Sequence, residues 1–155
     1  MDKVIEKRIF YWNKIMKTCL SIGGFDPCGG AGVQIDNRVF YQFGLHPLSV
    51  ITALTIQNTI GVEKVIPVDS NIIKKQLKNL IQDIKIDSLK IGMLYSVSTV
   101  KVVVDIIKQG YFSFIVVDPV MVSSSGKSLI EKGLIKVLCD KLLPVTTFVT
   151  PNLYE

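Results

Sequence analysis

The chain has 155 residues, 48% of them hydrophobic and 20% charged, with a formal net charge of +5. This composition fits one folded domain with a substantial core and excludes a disordered polyelectrolyte. No apolar run approaches the roughly 18 residues of a membrane span, and three cysteines with a single histidine form neither a disulfide framework nor a zinc pattern.

Residues 1–17, "MDKVIEKRIFYWNKIMK", carry basic residues and an apolar patch that Asn13 and Lys14 interrupt. No small-residue cleavage site follows, so the segment reads as an N-terminal extension and the chain as cytoplasmic. Residues 18–155 read as one domain. "TCLSI" (18–22) predicts a strand. Residues 30–43 predict a helix, with Val33, Val39, Phe40 and Phe43 on one side and Gly44 as its stop. "LSVITALTI" (48–56) and "VEKVIPV" (62–68) predict strands. Residues 70–85 place Ile73, Leu77, Leu80, Ile81 and Ile84 at helical spacing, with Ser70 or Asn71 as cap. Lys74, Lys75, Lys78 and Lys85 read as a solvated face of that helix, since no aromatic interleaving marks a nucleic-acid surface. "SLKIGM" (88–93) is a short strand. A helix capped by Ser96 or Ser98 runs to about 109 and stops at Gly110. "FSFIVVDPV" (112–120) is a strand, residues 128–142 a helix, and "TTFVT" (146–150) a last strand.

Strands alternating with helices predict an α/β fold with a mostly parallel sheet covered on both faces. Such sheets bind ligands at the C-terminal ends of their strands. Five stretches occupy those ends. They are Gly23–Gly32, Gln57-Asn58-Thr59, Gly92-Met93, Asp118-Pro119-Val120-Met121 and Thr150-Pro151-Asn152. The glycine-rich stretch invites a phosphate-binding reading, but its spacing rejects one. Gly30-Ala31-Gly32 would need a third Gly or Ala where Ile35 stands, and no acidic residue follows at the expected strand end. A P-loop would need Lys and Ser/Thr where Gly30 and Ala31 stand. Gly126-Lys127-Ser128 fails as well, because Met121 replaces the first glycine, and Gly126 reads as a flexible turn. The loop is left either as a ligand-approaching backbone or as a tight strand-to-helix turn. Asp36 can face a ligand or complement the helix dipole. Gln57 can read a ring or bind loop backbone, and Asp118-Pro119 can hold a cation or only turn the chain.

Taken together, "SIGGFDPCGGAGVQID", "VITALTIQNT", "KIGML", "VVDPVMVSSSG" and "TPNLYE" resemble, in order, the motifs of the hydroxymethylpyrimidine/phosphomethylpyrimidine kinases. These are thiamine-biosynthesis enzymes of the ribokinase-like superfamily. The resemblance covers residues 18–155. It implies a ribokinase-like sheet flanked by helices on both faces. It also implies ATP- and Mg²⁺-dependent phosphorylation of 4-amino-5-hydroxymethyl-2-methylpyrimidine and then of its monophosphate. Gly24 and Asp36 would line the pyrimidine pocket, Gln57 would recognise the ring, and Met93 and Val120 would wall it. Asp118 and Glu155 would be metal-associated carboxylates and Asn152 would lie on the nucleotide side. Cys28 carries no assigned chemistry. The partners implied are the pyrimidine and ATP, with no nucleic acid and no membrane, and family members commonly form homodimers.

The family pattern continues past the position of Glu155, so the C-terminal part of the fold is expected to be absent. With it would go the Gly-Thr-Gly anion hole, the catalytic base and the adenine pocket, leaving no catalytic residue in these 155 and little activity. An incomplete form of the kinase and a non-catalytic remnant are the two readings, with a pyridoxal-type kinase of the same superfamily as a third. An open sheet edge and an uncovered apolar face are expected.

Overall fold

The computed structural model describes residues 16–155 except 124 and 154. All but the last two residues of the expected extension, 1–17, lie outside the described residues. Six strands form one sheet in the order β3-β2-β1-β4-β5-β6. They are β1 (Thr18–Phe25), β2 (His46–Gln57), β3 (Val62–Pro67), β4 (Ser88–Ile91), β5 (Phe114–Val117) and β6 (Phe148–Val149). All neighbouring pairs are parallel except β2–β3, which is antiparallel. The mostly parallel sheet expected from the alternating pattern is therefore present.

Alternation along the strands decides what each face holds. Leu20 and Ile22 of β1, Leu89 and Ile91 of β4, and Ile115 and Val117 of β5 point to one side. There they pack with Ile73 and Leu77 of α2 (Ser70–Asp83) and with Val100, Val103 and Val104 of α3 (Val97–Ile107). Leu134 of the short helix α4 (Leu134–Val137) joins the same core, as do Leu138 and Leu142 of the π-helical turn that continues it. The intervening residues point the other way, where α1 (Gly32–Gln42) lies against β1 and β2. β1 is the central strand, and all of it but Phe25 is buried.

That second face is covered only in part among the described residues. Phe114 and Val116 share the face of Ser88 and Lys90, and Phe148 pairs beside Val116. Phe114 is 56% exposed and Phe148 57%. Among the described residues, β6 is an edge strand of the sheet and this face of β5 and β6 is apolar and partly exposed.

Three expectations need correction. The helix expected over 128–142 begins only at Leu134. Ser128 instead forms an antiparallel bridge with Val122. The Leu129 N–H donates to the Met121 carbonyl at 2.9 Å and the Glu131 N–H to the Tyr95 carbonyl at 2.9 Å. These donors are committed outside a helix, and Gly133, at φ +86°, resets the chain before α4 starts. The cap of α2 is neither Ser70 nor Asn71 but Asp69, whose carboxylate accepts from the Asn71 N–H at 2.8 Å. The strand expected over 112–120 is confined to Phe114–Val117. Ser96 caps α3 as expected, through the Thr99 N–H at 3.1 Å.

Candidate active site

β1 pairs with β2 on one side and β4 on the other, so the chain changes direction across the sheet at β1. Ligands bind at such switch points, beyond the C-terminal strand ends. A cavity of about 220 Å³ opens there. This is below the roughly 300–1,000 Å³ of sites for drug-sized ligands, and it suits a small ring better than a dinucleotide. Gly24, Asp36, Gln57, Met93, Asp118 and Val120 all line it. Four of the strand ends that the sequence separates widely therefore meet here, each through a residue expected at the site. The last strand end does not join them: Asn152 and Glu155 stand outside this cavity's lining.

The glycine-rich turn is built around its own carboxylate. Asp26 is 6% exposed. Its Oδ2 accepts from the N–H groups of Gly30 (3.0 Å) and Ala31 (2.9 Å). Its Oδ1 accepts from the Cys28 N–H at 2.8 Å and from Gln57 Nε2 at 2.5 Å. Ala31, the residue before α1, has no side-chain cap bond, so the Asp26 carboxylate satisfies the amides at that helix start. Gln34 of α1 holds the Asp26 backbone from the other side, accepting from its N–H at 3.1 Å and donating to its carbonyl. The anion that these glycine amides cradle is a residue of the loop.

Two glycines have contrasting reasons for being there. A Cβ on Gly32, at φ +65°, would sit 2.3 Å from the Gly24 carbonyl oxygen, which is rigid backbone. A Cβ on Gly24 would meet Met93 Cε at 2.5 Å, the end of a flexible side chain. Met93 thus lies directly against the Gly24 backbone, and with Val120 it supplies the apolar wall.

The floor is ionic. Lys90 Nζ lies 3.1 Å from Asp36 Oδ2 and 3.6 Å from Asp118 Oδ2. Asp36 also accepts from Ser21 Oγ at 2.6 Å. The Asp36 carboxylate turns to the sheet, where it lines the cavity and meets Lys90. Burial raises the Asp118 carboxyl above the usual range, opposed by Lys90 and aided by the nearby charges of Glu155 and Asp36. Three carboxylates, Asp26, Asp36 and Asp118, face one ammonium in the lining. The Glu155 carboxylate accepts from the Met121 N–H at 3.3 Å and the Asn152 N–H at 3.1 Å, which holds it near Asp118. Among the described residues no three His, Cys, Asp or Glu side chains cluster as a complete metal cage. Mg²⁺ does not need one, since it binds through one or two carboxylates, water and phosphate oxygens. The Asp118–Glu155 pair fits that donor set.

Sequence reasoning missed Asp26 and Lys90. Both left a signal. Asp26 opens an Asp-Pro turn followed by glycines, the setting for a carboxylate that binds backbone N–H groups ahead. Lys90 is the one charge in β4, on an inner strand of the sheet where it needs a partner.

The family model described as phosphomethylpyrimidine kinase matches residues 26–155. The hydroxymethylpyrimidine/phosphomethylpyrimidine kinase of Aquifex aeolicus is 40% identical over 136 residues, covering 88% of this chain and 53% of that protein. The crystal structure of phosphomethylpyrimidine kinase from Clostridium difficile superposes with a TM-score of 0.82 at 40% identity, covering 90% of this chain and 60% of that one. A pyridoxal kinase from Staphylococcus aureus, solved with pyridoxal, gives a TM-score of 0.80 at 30% identity, covering 90% and 51%. The chain spans about half the length of the curated relatives it matches. With the expected motifs gathered at one switch-point cavity and the family model covering most of its length, this chain belongs to the phosphomethylpyrimidine kinase family.

Proposed function

We propose that the cavity binds 4-amino-5-hydroxymethyl-2-methylpyrimidine and its monophosphate, as the pyrimidine-recognising part of an ATP-dependent kinase. The observation that carries this reading is Gln57. Its amide stands at the cavity beside the apolar wall of Met93 and Val120, offering hydrogen bonds to a heteroaromatic edge. In the first transfer, the hydroxymethyl oxygen would bond to the γ-phosphorus of ATP as the bond to the ADP oxygen breaks, its proton passing to the base expected in the family's C-terminal part; in the second, a phosphate oxygen of the monophosphate would be the nucleophile. Such transfer depends on positioning and on neutralising phosphoryl charge. In this reading these residues do the positioning on the pyrimidine side. Mg²⁺ held near Asp118 and Glu155 would supply charge neutralisation, with Asn152 on the nucleotide side.

The test is equilibrium binding of the pyrimidine alcohol to the chain, followed by Gln57→Leu. Binding by the parent and a loss of tenfold or more in the variant are expected, the cost of one or two polar contacts to a ligand. Absence of binding by the parent, or an unchanged affinity in Gln57→Leu, overturns the reading. Pyridoxal in the same assay separates the neighbouring activity. The 40% identity to pyrimidine kinases against 30% to the pyridoxal kinase favours the pyrimidine.

A further inference from the structure

We propose that Asp26 is a positioning residue for ligand selection: it fixes which end of the Gln57 amide faces the cavity, and so sets the site to read a ring edge that carries an amino group. The inference rests on the pyrimidine reading of the cavity and deepens it.

Four N–H donors converge on the Asp26 carboxylate. Three are backbone groups of the glycine turn, and the fourth is Gln57 Nε2 at 2.5 Å. An ionised carboxylate only accepts hydrogen bonds. The Gln57 amide must therefore turn its nitrogen to Asp26, since the flipped amide would set oxygen against oxygen. One amide N–H is thereby committed. The second N–H and Oε1 have no protein partner among the described residues and belong to a side chain that lines the cavity. Their order is fixed: acceptor on the side away from Asp26, donor beside it. An adjacent ring nitrogen and exocyclic amino group match that order. An oxo group beside a ring N–H, on a ring held in the same orientation, presents the reverse and leaves like facing like.

Asp26→Asn gives a directed perturbation. The amide nitrogen that the substitution introduces must replace one carboxylate oxygen. At the Oδ2 position it would oppose two backbone donors, Gly30 and Ala31. At the Oδ1 position it would oppose one backbone donor, Cys28, and the Gln57 amide, which can flip to accept. The second arrangement loses fewer bonds. It turns the Gln57 nitrogen toward the cavity and inverts the edge that the site reads.

The experiment measures affinity of the parent chain and Asp26→Asn for two rings, 4-amino-5-hydroxymethyl-2-methylpyrimidine and its 4-oxo analogue. The parent is expected to favour the amino ring, and the variant to shift the ratio of the two affinities tenfold or more toward the oxo ring. A merely structural role lowers both affinities alike and leaves the ratio unchanged, which overturns the proposal. The second measurement needs neither ligand nor a folded Asp26→Asn. In the ¹⁵N-labelled parent, one Gln57 side-chain amide proton, assigned through its loss in Gln57→Leu, should be shifted downfield and slow to exchange. Two solvent-like protons would refute the Asp26–Gln57 contact. If the parent binds neither ring but shows the bonded amide, the pyrimidine reading fails while the Asp26 positioning of Gln57 stands.

Discussion

Lys90 is the residue on which the stability of the cavity floor turns. Lys90→Met keeps the length and apolar stem of the side chain and removes the ammonium. The side chains involved are partly shielded, with 22% exposure for Lys90, 13% for Asp36 and 37% for Asp118. At 3.1 Å and an effective dielectric of about 20, the attraction to Asp36 is about 5 kcal/mol before desolvation is subtracted. Removing one partner of a fully buried pair costs about 3–5 kcal/mol. Partial exposure and the retained Ser21 bond to Asp36 reduce this, so a loss of about 2 kcal/mol is expected. In a domain of this size that corresponds to a fall of about 4–8 °C in Tm. The assay is thermal and urea unfolding followed by circular dichroism at neutral pH, on the parent, Lys90→Met, Asp36→Asn and the double variant. Neutralising Asp36 should restore part of what Lys90→Met loses, with a coupling energy of about 1 kcal/mol or more. Additivity within about 0.3–0.5 kcal/mol, or a Lys90→Met stability equal to the parent's, refutes the ionic floor as described.

Asp118→Asn should stabilise the chain at neutral pH. The folded-state carboxyl sits above its ordinary value, chiefly through burial, so ionisation opposes folding. The variant's advantage should be full above the folded-state value and vanish as pH falls below the unfolded one, which urea midpoints across pH would show. Gly32→Ala should cost several kcal/mol in urea unfolding, because neither φ +65° nor the 2.3 Å approach to the Gly24 carbonyl can relax without moving the loop. Gly24→Ala should unfold within about 1 kcal/mol of the parent, since only Met93 Cε needs to move, yet it should weaken ligand binding by filling the cavity. Phe114→Ser with Phe148→Ser should cost no more than about 3 kcal/mol in urea unfolding, since both rings are more than half exposed, and should reduce any self-association seen in sedimentation velocity.

The fold was legible because the strands are chemically distinct. "FIVV" and the apolar half of "TCLSIGGF" demand burial, and Gly44, Gly110 and Ser96 mark helix ends locally. The failures fall where tertiary partners override local pattern. The 128–133 segment has helical periodicity, but its N–H groups answer to Met121 and Tyr95, residues that no local rule connects to it. The cap of α2 lies one residue earlier than expected because Asp69 outcompetes Ser70 for the same donors. The site divides in the same way. Residues at strand ends could be named from position and resemblance. Lys90 and Asp26 could not be assigned roles, because each acts through a partner from a distant element: Asp36 lies 54 positions from Lys90 and Gln57 lies 31 from Asp26.

The glycine-rich turn shows why glycine content alone misleads about chemistry. Exposed amides at a helix start bind anions whatever the anion's source. Here the source is internal, and it has a consequence for the ligand. With Asp26 already satisfying Gly30 and Ala31, a phosphate brought to that turn would meet a carboxylate and not free N–H groups. The lining adds Asp36 and Asp118 against Lys90 alone, so its carboxylates outnumber its cations, which favours neutral, hydrogen-bonding rings over anions. On the proposed reading, a phosphorylated pyrimidine would be held with its ring against Gln57 and its phosphate away from Asp26. Asp118 is the one lining carboxylate that is more than a third exposed. In that reading, the polarity set by Asp26 would order the ligand, ring against Gln57 and phosphoryl end away from Asp26, before any nucleotide is considered.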